Sequence, residues 1–142
     1  MEKENKLSLE AAEDQFELLT DYYDIDLDDE DDSDVRRANK SIKKKLVKAI
    51  QRGLIEIKEE EDTLNVYQYL IKPMDGIKSP IKYKEPSGLS KIAMKESGKE
   101  DHYGKMYNLL GGLSGEGKKP FLKMRGRDLS TAESLALLFL DI

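Results

Sequence analysis

The sequence predicts an α+β fold in which two N-terminal helices precede a small three-stranded antiparallel meander and C-terminal helices pack on it. Three observations carry that prediction. Apolar residues recur at helical spacing up to Gly53, the period then switches to alternation, and helical spacing returns beyond Gly88 to end in an apolar run. A chain of 142 residues is expected to build one modest core. Its expected parts are a disordered lead over 1–7, a helical region over 8–53 and an α+β region over 54–142.

Leu9, Ala12, Phe16 and Leu19 stand at helical spacing behind Ser8, a natural N-cap, so a helix is expected from Ser8 to about Tyr23. Residues 24–34 are almost continuously acidic and read as a solvated loop, because like charges repel and bury nothing. The next helix, Val35 to Arg52, reverses the charge. Its stripe is Val35, Ala38, Ile42, Leu46, Ala49 and Ile50, and Gly53 is placed to end it. Ile55 and Ile57 then alternate with charged residues, and Glu59 to Asp62 make a polar turn. Leu64 to Ile71 is rich in β-formers up to Pro73, and Ile81 to Tyr83 forms a third strand closed by Pro86 and Gly88. Helices are expected from Leu89 to about Glu96 and from Glu100 to about Leu113. In the second, Tyr103, Met106, Tyr107 and Leu110 share a face. A terminal helix is expected to open with Ser130 and Glu133 at capping-box spacing. Its apolar face holds Leu135, Leu138, Phe139 and Ile142, flanked by Leu137 and Leu140. This stripe is too wide for an ordinary surface helix, so it either closes the core or keeps one side for another molecule.

Composition narrows the function. Without cysteine, neither a disulfide framework nor a thiolate metal site can form. No apolar run approaches the roughly 20 residues that span a bilayer, and Met1 to Lys6 has no signal-peptide core, so a cytoplasmic protein with no membrane partner is expected. A net charge of −5 argues against general nucleic-acid binding. The charge is unevenly spread, however: Arg36, Arg37, Lys40, Lys44 and Lys48 lie in a helix free of acids from Val35 to Arg52. Such a helix can bind phosphate backbones, or it can be neutralised by the acidic loop beside it. No aromatic residue is interleaved in it to read bases.

Several motif lookalikes fail on chemistry. An EF-hand frame beginning at Asp24 or Asp26 lacks the glycine at its sixth position and the closing glutamate at its twelfth, so no metal site is expected. Gly112 to Lys118 matches the core of a phosphate-binding loop. Lys119 and Pro120 follow where a magnesium-holding Ser or Thr and a helix are required, and the segment before it reads as helix rather than strand. His102 is the single histidine, and no nucleophile-elbow pattern accompanies it. Neither a cofactor nor catalysis is expected.

Four segments carry a family resemblance. They are Tyr69-Leu70-Ile71-Lys72-Pro73-Met74, Ile81 to Leu89 (Ile-Lys-Tyr-Lys-Glu-Pro-Ser-Gly-Leu), Tyr107 to Ser114 (Tyr-Asn-Leu-Leu-Gly-Gly-Leu-Ser), and Leu122 to Leu129 (Leu-Lys-Met-Arg-Gly-Arg-Asp-Leu). Their order over residues 64–142 resembles the tail assembly chaperones of Mu-like and related contractile-tailed phages and prophages. Ser87 stands where threonine is usual, and Ser90 replaces an Asp-like position. The resemblance implies a non-enzymatic protein that binds the apolar tape measure protein, or another tail assembly protein, and keeps it soluble during tail morphogenesis. In that reading Leu135, Leu138, Phe139 and Ile142 supply the partner contact. Self-association through the apolar end is compatible with it. The alternative is a nucleic-acid-binding or regulatory protein working through helix 35–52.

Overall fold

The computed structural model describes residues 6–27, 32–77, 79–94 and 102–140. Their elements are α1 (Leu9–Tyr22), α2 (Ser33–Gln51), β1 (Ile55–Glu60), β2 (Thr63–Gln68), β3 (Ile81–Tyr83), α3 (Gly88–Met94), α4 (His102–Ser114), α5 (Lys119–Lys123) and α6 (Gly126–Phe139). The fold is α+β, with one antiparallel sheet in the order β1-β2-β3 and helices on both sides of it in sequence.

The first helix starts as its sequence requires, with the Ser8 hydroxyl accepting from Ala11 N at 3.1 Å. α1 buries Ala12, Phe16 and Leu19. Leu9, the first residue of the expected stripe, is exposed. α2 begins earlier than its apolar stripe because Asp32 caps it, accepting from Asp34 N at 2.8 Å. Ser33 and Asp34 are therefore helical rather than part of the acidic loop, and loop residues 28–31 lie outside the described residues. α2 buries Ile42, Leu46, Val47, Ala49 and Ile50 and leaves Val35 and Ala38 exposed. Gly53, at φ +73°, adopts the left-handed conformation that lets the chain leave the helix. Two residues of the expected disordered lead are pinned: Lys6 N and Leu7 N donate to Gln51 O at 2.6 and 3.1 Å. The rest of that lead, 1–5, lies outside the described residues.

The sheet presents its core face as two cross-strand rows, Ile57–Val66–Tyr83 and Ile55–Gln68–Ile81. All six side chains are buried. β2 stops at Gln68, short of the expected Ile71. Tyr69 N still follows the β1 register, donating to Leu54 O at 2.8 Å, but Ile71 N and Lys72 N donate to the Asp128 carboxylate at 2.8 and 3.0 Å. Those two groups are taken by a partner outside the ladder before Pro73 is reached.

α6 packs between α2 and α4. It starts at Gly126, four positions before Ser130, after Arg125 in an extended conformation and Gly126 at φ +60°. The expected capping box does not form, because Ser130 and Glu133 are inside the helix: Ser130 O accepts from Ser134 Oγ at 3.0 Å, and Glu133 accepts from Tyr107. The short α5 is an element the sequence did not announce; it buries Phe121 against Tyr83.

One glycine is indispensable to the return of the chain over α4. A Cβ on Gly111 would lie 2.5 Å from Gly117 C and 2.7 Å from Gly117 O, both backbone atoms. Gly111→Ala is therefore expected to cost about 2 kcal/mol through overpacking, measured by urea unfolding. Gly88→Ala is the control, since a methyl there meets nothing within 4 Å.

Candidate functional site

The terminal helix does not present the partner surface expected of it. Leu135 and Leu138 are fully buried, and Phe139 is 2 % exposed and meets Tyr23 edge-on with ring centroids 6.0 Å apart. The wide apolar stripe is explained by burial on two sides, against α2 and α4. Leu135, Leu138 and Phe139 are thus core residues, which corrects their assignment to partner contact. Ile142 lies outside the described residues.

The basic helix, by contrast, is open. Arg36, Arg37, Lys40, Lys43, Lys44, Lys45 and Lys48 are all exposed along α2, and none forms an ion pair with a described residue. Lys40, Lys43, Lys44 and Lys48 among them line a groove of about 490 Å³ between α1 and α2, together with Leu9, Val47 and the acid Glu13. The acids of α1 (Glu10, Glu13, Asp14, Glu17, Asp21) are exposed on the neighbouring helix. The hairpin therefore carries opposite charge on its two helices. Asn39, one of the two amides of α2, is half-buried, and its Nδ2 donates to Leu27 O at 3.2 Å.

Three of the four segments that carry the family resemblance converge on one buried polar joint, and the remaining one bonds beside it. Tyr83 donates its hydroxyl hydrogen to Gln68 Oε1 at 2.7 Å, and Gln68 Nε2 donates to Asp128 O at 2.9 Å. The Asp128 carboxylate takes Ile71 N and Lys72 N. Lys84 N, just beyond β3, donates to Leu113 O at 2.9 Å. In low-dielectric surroundings such a network is stabilising only because each buried member is satisfied. The Glu-Pro-Ser-Gly-Leu-Ser stretch is a helix start: Ser87 N donates to Ser90 Oγ at 2.8 Å, and Ser90 Oγ donates to Ser87 O at 2.9 Å. Tyr83, Asp128, Ser87 and Ser90 of these motifs thus hold the fold together.

Exposed apolar side chains gather on the two helices that follow the sheet. Leu89 is 81 % and Ile92 59 % exposed on one face of α3, and Tyr103 is 61 % exposed on α4, which packs against α3. Isolated exposed leucines are ordinary; two at i and i+3 on a short helix make a face.

Tyr107, on the inner side of α4, donates to Glu133 Oε2 at 3.0 Å. Burial first, then this bond and the Glu133 charge, push its phenol from 10.0 up to about 12. Burial raises Tyr23 and Tyr83 further still. A phenol with a raised folded-state pKa contributes stability that is whole below the unfolded value and is lost as pH rises through the folded one. Stability is accordingly expected to decline from pH 10 toward 12, with Tyr107→Phe flattening part of that decline. Urea unfolding at stepped pH, followed with tyrosinate absorbance, measures it.

The remaining chemical candidates are placed plainly. The phosphate-loop lookalike joins α4 to α5, so a helix precedes it. His102 opens α4, and its ring contact is with Tyr103 at 6.0 Å. Among the described residues, no three His, Asp or Glu side chains are grouped to hold a metal ion, and no helix is long and apolar enough to cross a membrane. On the open face of the sheet Tyr67 and Asn65 bond the Glu60 carboxylate, and the Tyr67 bond above all holds it below the usual carboxylate range. Compared with protein families, with curated proteins and with solved structures, the chain matches none.

Proposed function

We propose that this protein is a non-enzymatic tail assembly chaperone, binding the tape measure protein or another apolar tail component during morphogenesis. The observation that supports it is the convergence of three of the four resembling segments on the Tyr83–Gln68–Asp128 joint, with the remaining one tied to the end of β3 through Leu113 O. Motifs that build one fold, rather than one reaction, are what a family of binding proteins with little shared surface chemistry would retain. The working surface in this reading is the exposed apolar face of α3, Leu89 and Ile92, with Tyr103 of α4 beside it, in place of the buried terminal helix. The deciding experiment is co-expression with a tape measure protein from the same genome, followed by retrieval through the small chain. The full chain is expected to keep the partner soluble and Leu89→Glu with Ile92→Glu to release it. Equal recovery with both chains would reject α3 as the surface, and no recovery with either would reject the function.

A second reading is favoured by the exposed cations of α2, which form no ion pair with a described residue: a nucleic-acid-binding or regulatory role through Arg36, Arg37, Lys40, Lys44 and Lys48. It requires binding that falls steeply with salt, because each phosphate contact releases condensed counterions. Fluorescence anisotropy of a labelled duplex in a salt series tests it. Affinity that is absent at low salt, or flat across the series, removes it.

A further inference from the structure

We propose that the cleft between the last turn of α2 and the first turn of α6 binds a phosphate group. The cleft measures about 380 Å³ and is lined by Lys45, Lys48, Arg52, Arg127, Ser130 and Thr131, over a floor that includes Ala49 and Leu54. Four cations and two hydroxyls thus face one space with no acid on its walls. The surface stands apart from the α3 face of the chaperone reading and shares only Lys48 with the cations named for the nucleic-acid reading.

Two independent features make this a place for an anion. The first is the start of α6. Arg125 at its N-cap supplies no side-chain acceptor, so the N–H groups of the first turn keep their partial positive charge for another acceptor. Asp128, the one acid of that turn, is committed elsewhere, its carboxylate bonded to Ile71 N and Lys72 N. The second is Thr131. It is only 7 % exposed, lines the cleft, and its hydroxyl makes no hydrogen bond to a described residue. Every fully sealed side-chain oxygen among the described residues has a partner, so this hydroxyl is not sealed. A nearly buried donor without an acceptor, beside an uncapped helix start and a guanidinium, is complementary to a tetrahedral oxyanion. Arg127 supplies a planar fork for two of its oxygens, and the lysines supply point charge. The volume is that of a small-ligand pocket and exceeds a bare anion, which suits a phosphate carried on an organic group.

The test is an amide-resolved NMR titration of the full chain with sodium phosphate, ionic strength held constant with sodium chloride. Saturable shifts confined to the amides of 126–131 are expected. Arg127→Ala is expected to weaken binding at least about tenfold, the scale of one lost charge-assisted contact. Lys48→Ala, an exposed change that leaves the core untouched, should weaken it by a smaller factor, and Thr131→Val should weaken it with the spectrum otherwise retained. Lys82→Ala on the far sheet face should leave it unchanged. A nucleoside monophosphate that binds tighter than inorganic phosphate identifies a monoester ligand. An oligonucleotide without terminal phosphates that shifts the same amides identifies a backbone phosphodiester. Shifts that do not saturate, that sodium chloride alone reproduces, or that persist with equal affinity in both Arg127→Ala and Lys48→Ala overturn the proposal.

Discussion

Asp128→Ala is expected to lower the free energy of unfolding by about 4 kcal/mol, because it removes a charged acceptor from two backbone N–H groups at once. The carboxylate is 5 % exposed and reaches Ile71 N at 2.8 Å and Lys72 N at 3.0 Å. Truncation leaves both donors with nothing to replace it, at the point where the chain departs from β2. Asp128→Asn keeps the shape but turns a donor toward one of the two N–H groups, so about half the loss is expected. Urea unfolding followed by circular dichroism measures both. An alanine variant within about 1 kcal/mol of the parent would mean that the joint is not closed in solution, on the scale set by a hydrogen bond to a charged group.

Leu135→Ala is expected to cost about 3–4 kcal/mol, as a buried leucine truncated in a well-packed core does. Against a total stability of about 5–15 kcal/mol for a domain of this size, that is a large share. The variant also separates two roles for the terminal helix. A core residue loses stability, and loses partner retrieval only as far as the fold is lost. A contact residue would lose retrieval at unchanged stability. Leu135 has no exposed surface, so the first outcome is expected, with the urea midpoint falling while the folded fraction still captures partner through α3.

Periodicity was enough to read α1, α2, the three strands and their order, because each depends on residues close in sequence: the Ser8 cap, the α2 stripe, the alternation of Ile55 and Ile57. Two of the misread boundaries lie at the Asp128 joint. Asp128 sits 57 residues from Ile71, and its pull on that backbone ends β2 early. The same region starts α6 early, since Gly126 turns the chain into the helix ahead of the Ser130 signal. No local pattern contains that pairing. Ser87 and Ser90 could have been found, since two hydroxyl residues at i and i+3 before an apolar helix are a capping pattern.

The candidate surfaces divide in the same way. The charge of α2 was legible as a run of lysines and arginines, since charge is a property of composition that burial rarely removes. Which apolar residues face water was not legible, since a leucine at helical spacing can turn to either side. Leu135 is enclosed by α2 and α4, while Leu89, in a stretch of similar promise, is left 81 % exposed. Every element but α5, the order of the elements and the sign of charge along the chain were readable from neighbours within a few residues. Which apolar stripe is core and which is surface is set by packing between distant segments. The tertiary structure alone set Thr131 and Arg127 beside Lys48, because burial and proximity arise when distant segments pack.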